Sequence, residues 1–439
     1  MLFPFSILLG AIAAAGAVAF GNDPRWMIHA HGLEMIMLSR RLQGPLVAGA
    51  MLACAAVVVM VVAGRWRAWW LLGLAPVLGL FARHFAFDPA GGMIVNAAPS
   101  FVAANDAKFV ADDDEVVGVS FDGEQYALPY GILYQSPVVA LSEPRRRLLV
   151  MWSAFANRAV AEETDWTLKP RELEVVSEPA NSLLLYNTGL GQFIVGVTGL
   201  TPDGARPTGF LAPVPTEKMP WSVWRRRHPD TLVLSPPDGW RTGWPTKPVP
   251  PRYPMPGELA GAPTDTWAKT GIISALVQMP QPTLLKDADL TGAPLNLLVG
   301  SSPLLVYRDG EGETRAFIRQ ANGDLTPRFY PVSNPAHPTA MWTERDSNSL
   351  WAVDGRAIDG ALKGEKLEPV VVDDGVYEDV IRFWYPSAIA VTPTAADIGT
   401  APVTMPNHAT RRRIRTKPKV VGKQVLAKPA RPVQVTASF

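Results

Sequence analysis

Residues 114–129, DEVVGVSFDGEQYALP, decide the reading of this chain. Val116, Val117, Val119 and Phe121 are β-branched or aromatic, and Gln125, Tyr126 and Leu128 resume the same style after Asp122-Gly123. Asp-Gly suits a tight two-residue hairpin, whose central positions both need positive φ, so the stretch predicts strand, turn, strand. The design returns in LLVYRDGEGETRAFIRQANGDLTPRFY (Leu304 to Tyr330), with Asp309-Gly310 and Asn322-Gly323 as turns. Prolines, 42 in all, concentrate after residue 200 and favour short strands and loops over long helices. A few short helices are expected among the strands, such as MPWSVWRRRHP around Trp221.

Upstream the pattern is different. Leu2 to Phe20, Pro45 to Gly64 and Ala68 to about Phe85 are apolar runs of the length that crosses a membrane as helix. Trp66, Trp69 and Trp70 stand where an interfacial aromatic belt would form, and Arg65-Trp66-Arg67 leaves room only for a tight hairpin turn. The first run reads as a retained anchor, because the alternative, a signal peptide ending near AVAFG, normally carries Lys or Arg ahead of its apolar core. Arg65 and Arg67 put that turn in the cytoplasm and the large domain outside; Arg25, Arg40 and Arg41 in the preceding loop argue the other way. In that loop Asn22 or Asp23 is a candidate N-cap and Pro24 a candidate first helical residue. An interfacial amphipathic helix is the reading for this segment. His29, His31 and Glu34 are weak metal-ligand candidates, since histidines two apart point to different helix faces.

A mean hydropathy of +0.08 agrees with a chain that is partly in membrane. The single cysteine, Cys54, lies in an apolar run, so the β region has no disulfide framework, zinc-finger spacing or thiol nucleophile, which suits an oxidising compartment. The last 42 residues carry nine Lys and Arg and no acid, from Arg411 to Arg431, which leaves the rest of the chain near −8 against a total of +1. An acidic body with a basic, aperiodic arm reads as a disordered interaction tail over 397–439. Anionic lipid or an envelope polymer is its expected partner. Nucleic acid is not expected, because no aromatic residue interleaves with the basic ones before Phe439.

Other chemistry was weighed against plainer readings. Asp112 to Glu115 is dense in acid but lacks the spaced ligands and turn glycine of a calcium loop, so a solvated segment end is the reading. Arg145, Arg146 and Arg147 read as a charged turn rather than an anion site. Ten of the 14 Trp follow residue 150, and although Trp221, Trp224, Trp240, Trp244 and Trp267 could stack on sugar rings, core packing is the commoner use. Ser153, in LLVMWSAFANRAV (Leu148 to Val160), would need an adjacent base to act as nucleophile. His228, His337 and His408 are the only histidines after the apolar runs, and no G-x-S-x-G surrounds the serine.

ERDSNSLWAVDGRAIDGALKGEKLEPV (Glu344 to Val370) and the closing YEDVIRFWYPSAIAV resemble the uncharacterised bacterial domain of unknown function 3179 family. Glu115 to Leu133 resembles that family's opening hairpin, and Met219 to Ser235 resembles its ending a second time, about 156 residues before the one near Tyr377. With the apolar runs and the hairpin pattern, the resemblance gives a membrane-anchored chain whose mainly β (α+β) soluble region is expected to hold two diverged tandem copies. Its boundaries are a membrane region over 1–88, copies over 98–255 and 256–396, and the tail. In the family a Cys-Pro-Leu-Cys-Gly turn follows the central strand and a His-Glu pair follows the hairpin. Carried onto this chain, the cysteines fall on Ser153 and Ala156, the His-Glu pair on Gln135 and Ser136, and a hairpin Arg on Tyr126. In the second copy Ser153 is set against Ser301 in GSSPLL (Gly300 to Leu305). Every chemically capable position is therefore replaced, and no catalytic, cofactor-binding or metal-ligating set is expected. The function so implied is a non-catalytic binding or scaffold protein of the cell envelope, with an envelope protein or the membrane as partner. An envelope hydrolase or metal-dependent enzyme with a displaced site is the alternative.

Overall fold

Three helices begin the chain in the computed structural model, which describes residues 2–87, 90–143, 146–255, 271–323, 325–332 and 339–400. They are α1 (Leu2–Phe20), α2 (Gly32–Val62) and α3 (Leu74–Phe87), the last extended backward by a 3-10 turn over Ala68–Gly73. The segments Phe3–Phe20, Gly32–Val62 and Ala68–Ala86 are each long and apolar enough to cross a membrane. They meet on small residues, with Ala11 and Ala15 of α1 buried against Val77 of α3, which lets the backbones approach closely.

The loop between the first two helices departs from expectation. Asp23 does cap a helical turn, accepting the Arg25 N–H at 3.0 Å, but that turn is a 3-10 segment (Pro24–Ile28) that stops at His29. A separate helix then starts at Gly32, so no single amphipathic helix spans the loop. Here α2 exceeds the expected Pro45 to Gly64 span, and its first turns leave the apolar role to pack on a β-sheet. Ile36, fully buried, joins Val176, Leu184 and Phe193 of that sheet. Arg40 pairs with Glu174 and lies 5.2 Å over the Tyr186 ring, while Arg41 lies 5.3 Å over Phe193.

The chain divides into two compact units, one of Met1–Gly271 with Tyr377–Trp384 and one of Ile272–Val376 with Tyr385 onward. In the first unit the strands are β1 (Val95–Asn96), β2 (Phe101–Ala103), β3 (Glu115–Phe121), β4 (Glu124–Pro129), β5 (Val138–Ser142), β6 (Arg147–Ser153), β7 (Arg158–Thr164), β8 (Leu173–Ser177), β9 (Leu184–Asn187), β10 (Gln192–Val195), β11 (Phe210–Val214), β12 (Thr216–Pro220) and β13 (Leu232–Leu234). Helix α4 (Tyr130–Leu133) follows β4, and α5 (Trp221–Arg227) joins β12 to β13. The strands form sheets ordered β12-β3-β4-β13-β2, β1-β5-β6-β7-β11 and β10-β9-β8. The predicted hairpin is β3–β4, closed by Asp122 and Gly123 at φ 53° and 91°, with Phe121 opposite Glu124.

Period-two alternation explains how these sheets stack. Val117 and Val119 face Val139, Leu141, Val150 and Trp152 of the second sheet, while Val116 faces Trp221 and Trp224 of α5. Val138, Ala140, Leu149 and Met151 face Leu183, Leu185 and Ile194 on the third sheet's side. The central sheet is buried on both faces, which is why RLLVMWS is a continuous apolar run rather than an alternating one. Gly118 is a glycine because a Cβ there would come within 2.2 Å of the Trp224 ring.

The second unit has strands β14 (Ile272–Leu276), β15 (Thr283–Lys286), β16 (Leu295–Val299), β17 (Ser302–Arg308), β18 (Thr314–Ile318), β19 (Phe329–Pro331), β20 (Ala340–Glu344), β21 (Leu350–Ala352), β22 (Ala357–Asp359), β23 (Glu368–Val370), β24 (Asp373–Tyr377) and β25 (Ile389–Val391). Its sheets run β24-β14-β15-β25, β16-β17-β18-β23 and β19-β20-β21-β22. Helix α6 (Glu378–Trp384) follows β24. Leu276, Leu285, Leu297 and Leu304 fill one layer and Tyr307, Phe317, Trp342 and Trp351 the next. Backbone bonds hold the chain through Gly399, whose N–H donates to Pro294 O at 2.9 Å. His337, His408, Trp267 and the basic residues from Arg411 lie outside the described residues.

Candidate functional site

Ser153, the first of the two positions that the resemblance gave to cysteine, is the last residue of β6, and the second, Ala156, lies in the turn after it. Ala154–Ala156 make one 3-10 turn, and Asn157, at φ 48° and ψ 43°, closes it in the left-handed region before β7. Asn157 thus stands where the family carries glycine, and asparagine is among the residues that tolerate this conformation best. Its side chain accepts the Tyr130 hydroxyl at 2.7 Å and its carbonyl accepts the Lys218 ammonium. Ser153 is fully buried, and its Oγ accepts the Leu183 N–H at 3.1 Å, so the hydroxyl ties β6 to the next layer.

The other candidates are equally occupied with structure. His228 packs on the Trp224 ring at 4.1 Å, burial depresses its pKa, and no hydrogen bond joins it to Ser153. Ser136 is fully buried after α4, and the Gln135 side chain accepts the Arg241 N–H at 3.3 Å. Tyr126 donates to Glu143 at 2.6 Å. Asp112 pairs with Arg225 at 2.9 Å and Asp113 with Lys247 at 2.8 Å, the lysine holding the Asp113 carboxyl below its ordinary pKa. Arg146 binds Glu163 at 2.8 Å and Arg147 lies 4.2 Å over Trp166; Arg145 is outside the described residues. His31 and Glu34 form an exposed 4.0 Å pair, and no group of three His, Cys, Asp or Glu suited to a metal occurs among the described residues. Trp152, Trp221, Trp224 and Trp351 are fully buried core.

Gly300 and Ser301 form the turn between β16 and β17, just past the end of β16, and Ser153 is the last residue of β6.

Beside the Ser153 turn lies a cavity of about 460 Å³, within the usual range for a small-molecule site. Trp152, Ala154 and Phe155 of the turn line it together with Leu133, Tyr134 and Pro137 from the end of α4. Trp152 meets Tyr134 edge-on at 4.8 Å, and Trp244 stacks on Tyr134 at 6.1 Å with planes 3° apart. Asp23, Arg25 and Arg83 contribute from the helical region. The Arg25 guanidinium grips Asp23, and although burial raises the Asp23 pKa, the bonds from Arg25 bring it below the ordinary value.

Two lining residues stand apart. Glu178, just past β8, is 3% exposed, no hydrogen bond reaches its carboxyl among the described residues, and burial pushes its pKa up to about 8 against the pull of Arg252. It opens the turn Pro179–Asn181, in which Ala180 and Asn181 both have positive φ, 46° and 61°. Such backbone is costly and persists where surroundings enforce it. Here Asn181 enforces it: its Oδ1 accepts the N–H groups of Arg252 and Tyr253 at 2.7 Å each, and its Nδ2 donates to Tyr253 O at 2.8 Å. The sequence reading missed Glu178, Asn181 and Arg252. A lone acid before proline and a lone arginine in a Pro-rich stretch carry no periodic signal, and only the fold brings them together.

These features define a class: a β protein of stacked, mostly antiparallel sheets behind three apolar helices, with an aromatic-walled cavity and no thiol at its edge. The model of the family described as proteins of unknown function, DUF3179, matches residues 94–377, which is 284 of the 439 residues, and the chain belongs to that family. The match is one continuous stretch reaching into both units. No curated protein and no solved structure matches the chain significantly.

Proposed function

We propose that the chain is a membrane-anchored, non-catalytic binding protein of the cell envelope, that its ligand site is the cavity beside Ser153, and that its β region lies outside the cytoplasm. The observation that carries the reading is the coexistence of a roomy aromatic cavity with a turn whose chemically capable positions hold Ser153 and Ala156. The β region is read as two diverged copies of one design. Supporting this, β12-β3-β4-β13 matches β24-β14-β15-β25, each with its last pair parallel. The seven-residue helices α5 and α6 begin 157 residues apart, at Trp221 and Glu378, as do β13 and β25, at Leu232 and Ile389.

Charge use supports the orientation. Arg25, Arg40 and Arg41 are engaged by Asp23, Glu174 and Phe193, whereas Arg65 and Arg67 are exposed beside the apolar helices and have no partner among the described residues. Positive residues that flank spans favour the cytoplasmic side. The basic tail is assigned to anionic lipid or envelope polymer. One observation favours the enzyme alternative: Glu178 is a cavity carboxyl that keeps its proton near neutral pH, as general acids do.

Two measurements test the reading. In a Cys54→Ser background, a membrane-impermeant maleimide should label Ala205→Cys in cells with intact inner membranes, and Ala68→Cys only after lysis; the opposite pattern refutes the orientation. Native mass spectrometry of the full chain purified from its own membranes should find a bound small molecule or envelope protein. A clean monomer with no partner would count against a binding role, and turnover abolished by Glu178→Gln would establish the enzyme instead.

A further inference from the structure

Glu178 and Arg252 are an acid and a base that line one cavity without touching. The Glu178 carboxyl has no bonded partner among the described residues although the residue is 3% exposed. The Arg252 guanidinium lies 6.0 Å over Phe155 and 5.7 Å over Tyr253 and makes no ion pair among the described residues. Free to move, the carboxyl would give up its proton and close on the guanidinium as a salt bridge, since an unpaired buried charge is costly. The backbone prevents it. Asn181, three residues after Glu178, holds the Arg252–Tyr253 segment by three hydrogen bonds, so the strained turn that places the acid also sets the position of the base.

Such a separated pair complements a ligand that carries both charges itself. The rings of Trp152, Tyr134 and Tyr253 line the same cavity, and aromatic faces attract an ammonium group. A guanidinium, for its part, pairs best with phosphate or carboxylate oxygens. We propose that this cavity binds a small zwitterion of the phosphoethanolamine type, its ammonium group against Glu178 and its phosphate on Arg252. This rests on the reading of the cavity as a binding site. The ligand is free in solution or is the headgroup of a phospholipid, because Asp23, Arg25 and Arg83 of the same wall border the apolar helices.

Binding the ammonium requires Glu178 to ionise and to pass its proton to solvent. The groups that face it are Arg252 and Tyr253, Tyr134 from the end of α4 and, beyond Tyr253, Asp23 and Arg25. Helix α6 packs on the turn through Phe383 and Trp384, and the 3-10 turn Ala154–Ala156 is likewise uncharged. Affinity for the zwitterion therefore rises from neutral pH to about 8, with release of about one proton per ligand at pH 7.

The experiment is titration calorimetry of the full chain in detergent with O-phosphoethanolamine, in two buffers of different ionisation heat. Ethanolamine, glycerol phosphate and N-acetylglucosamine serve as comparisons. O-phosphoethanolamine should bind at least about tenfold more tightly than either singly charged compound, and Glu178→Gln and Arg252→Ala should each weaken it by about thirtyfold or more. Nanodiscs of phosphatidylethanolamine that compete with the soluble probe, where phosphatidylglycerol discs do not, identify the lipid as the source; no competition identifies the soluble compound. Proton uptake, or equal binding by a Glu178→Gln variant that still unfolds cooperatively, overturns the proposal. If only N-acetylglucosamine binds, and Trp244→Ala removes it, the zwitterion falls and the binding cavity stands. If no probe binds, both fall.

Discussion

Replacing Glu178 with glutamine should stabilise the protein, and by more as the pH rises. The carboxyl is 3% exposed, and burial moves its pKa from the ordinary 4.5 to about 8. An acid whose pKa is raised by folding keeps its proton in the native state where the unfolded chain has lost it. Its contribution is therefore fully present below about 4.5 and is lost at about 1.4 kcal/mol per pH unit up to about 8. Between about pH 5.5 and about pH 7.5 the loss is about 3 kcal/mol. Glutamine has nearly the shape of the protonated acid and cannot titrate, so the variant escapes this loss. At about 1 °C per kcal/mol for a chain of this size, the melting temperature of the variant should gain about 3 °C on the wild type over that interval. Scanning fluorimetry of both proteins in one detergent across this pH range measures it. A gap that does not change with pH would refute the burial argument, and a wild type that gains on the variant as pH rises would show a paired carboxylate instead.

Three more outcomes follow from the packing. Ser153→Ala removes the acceptor of the buried Leu183 N–H and should cost about 1–3 kcal/mol of stability in denaturant titration while ligand binding persists; lost binding at unchanged stability would contradict a structural serine. Gly118→Ala drives a Cβ to within 2.2 Å of the Trp224 ring and should cost about 1–3 kcal/mol, less in a Trp224→Leu background, so additive costs in that double-mutant cycle would rule out the clash. Arg40→Ala removes the Glu174 pair and the Tyr186 stack and should speed hydrogen exchange over residues 173–195 ahead of the rest of the β region; uniform protection would disprove that contact as the anchor.

How much of this was legible in the sequence depends on the distance over which each feature is written. The β3–β4 hairpin is local: Asp122-Gly123 needs two positive φ angles, and the flanking valines alternate, so sixteen residues suffice. The apolar helices are equally local, although the start of α2 was not, because Gly32 to Gln43 spend their apolar face on a sheet more than 100 residues away. The cavity is the opposite case. Its acid, its clamp and its base come from Glu178, Asn181 and Arg252, and the link between them is a set of side-chain to backbone bonds across about 70 residues. No composition or period records such a link.

The same reasoning separates Ser153 from its surroundings. Had the turn lost its purpose with its thiols, nothing would hold the aromatic wall or the separated charges beside it, since a collapsed, apolar interior is the cheaper structure. Instead Asn157 closes the turn in the left-handed region, Ser153 braces the neighbouring layer, and a strained residue, Ala180, stands next to a buried acid. Strain and a carboxyl without a partner among the described residues both lower stability, and their meeting at one cavity is the physical argument for the ligand proposed above.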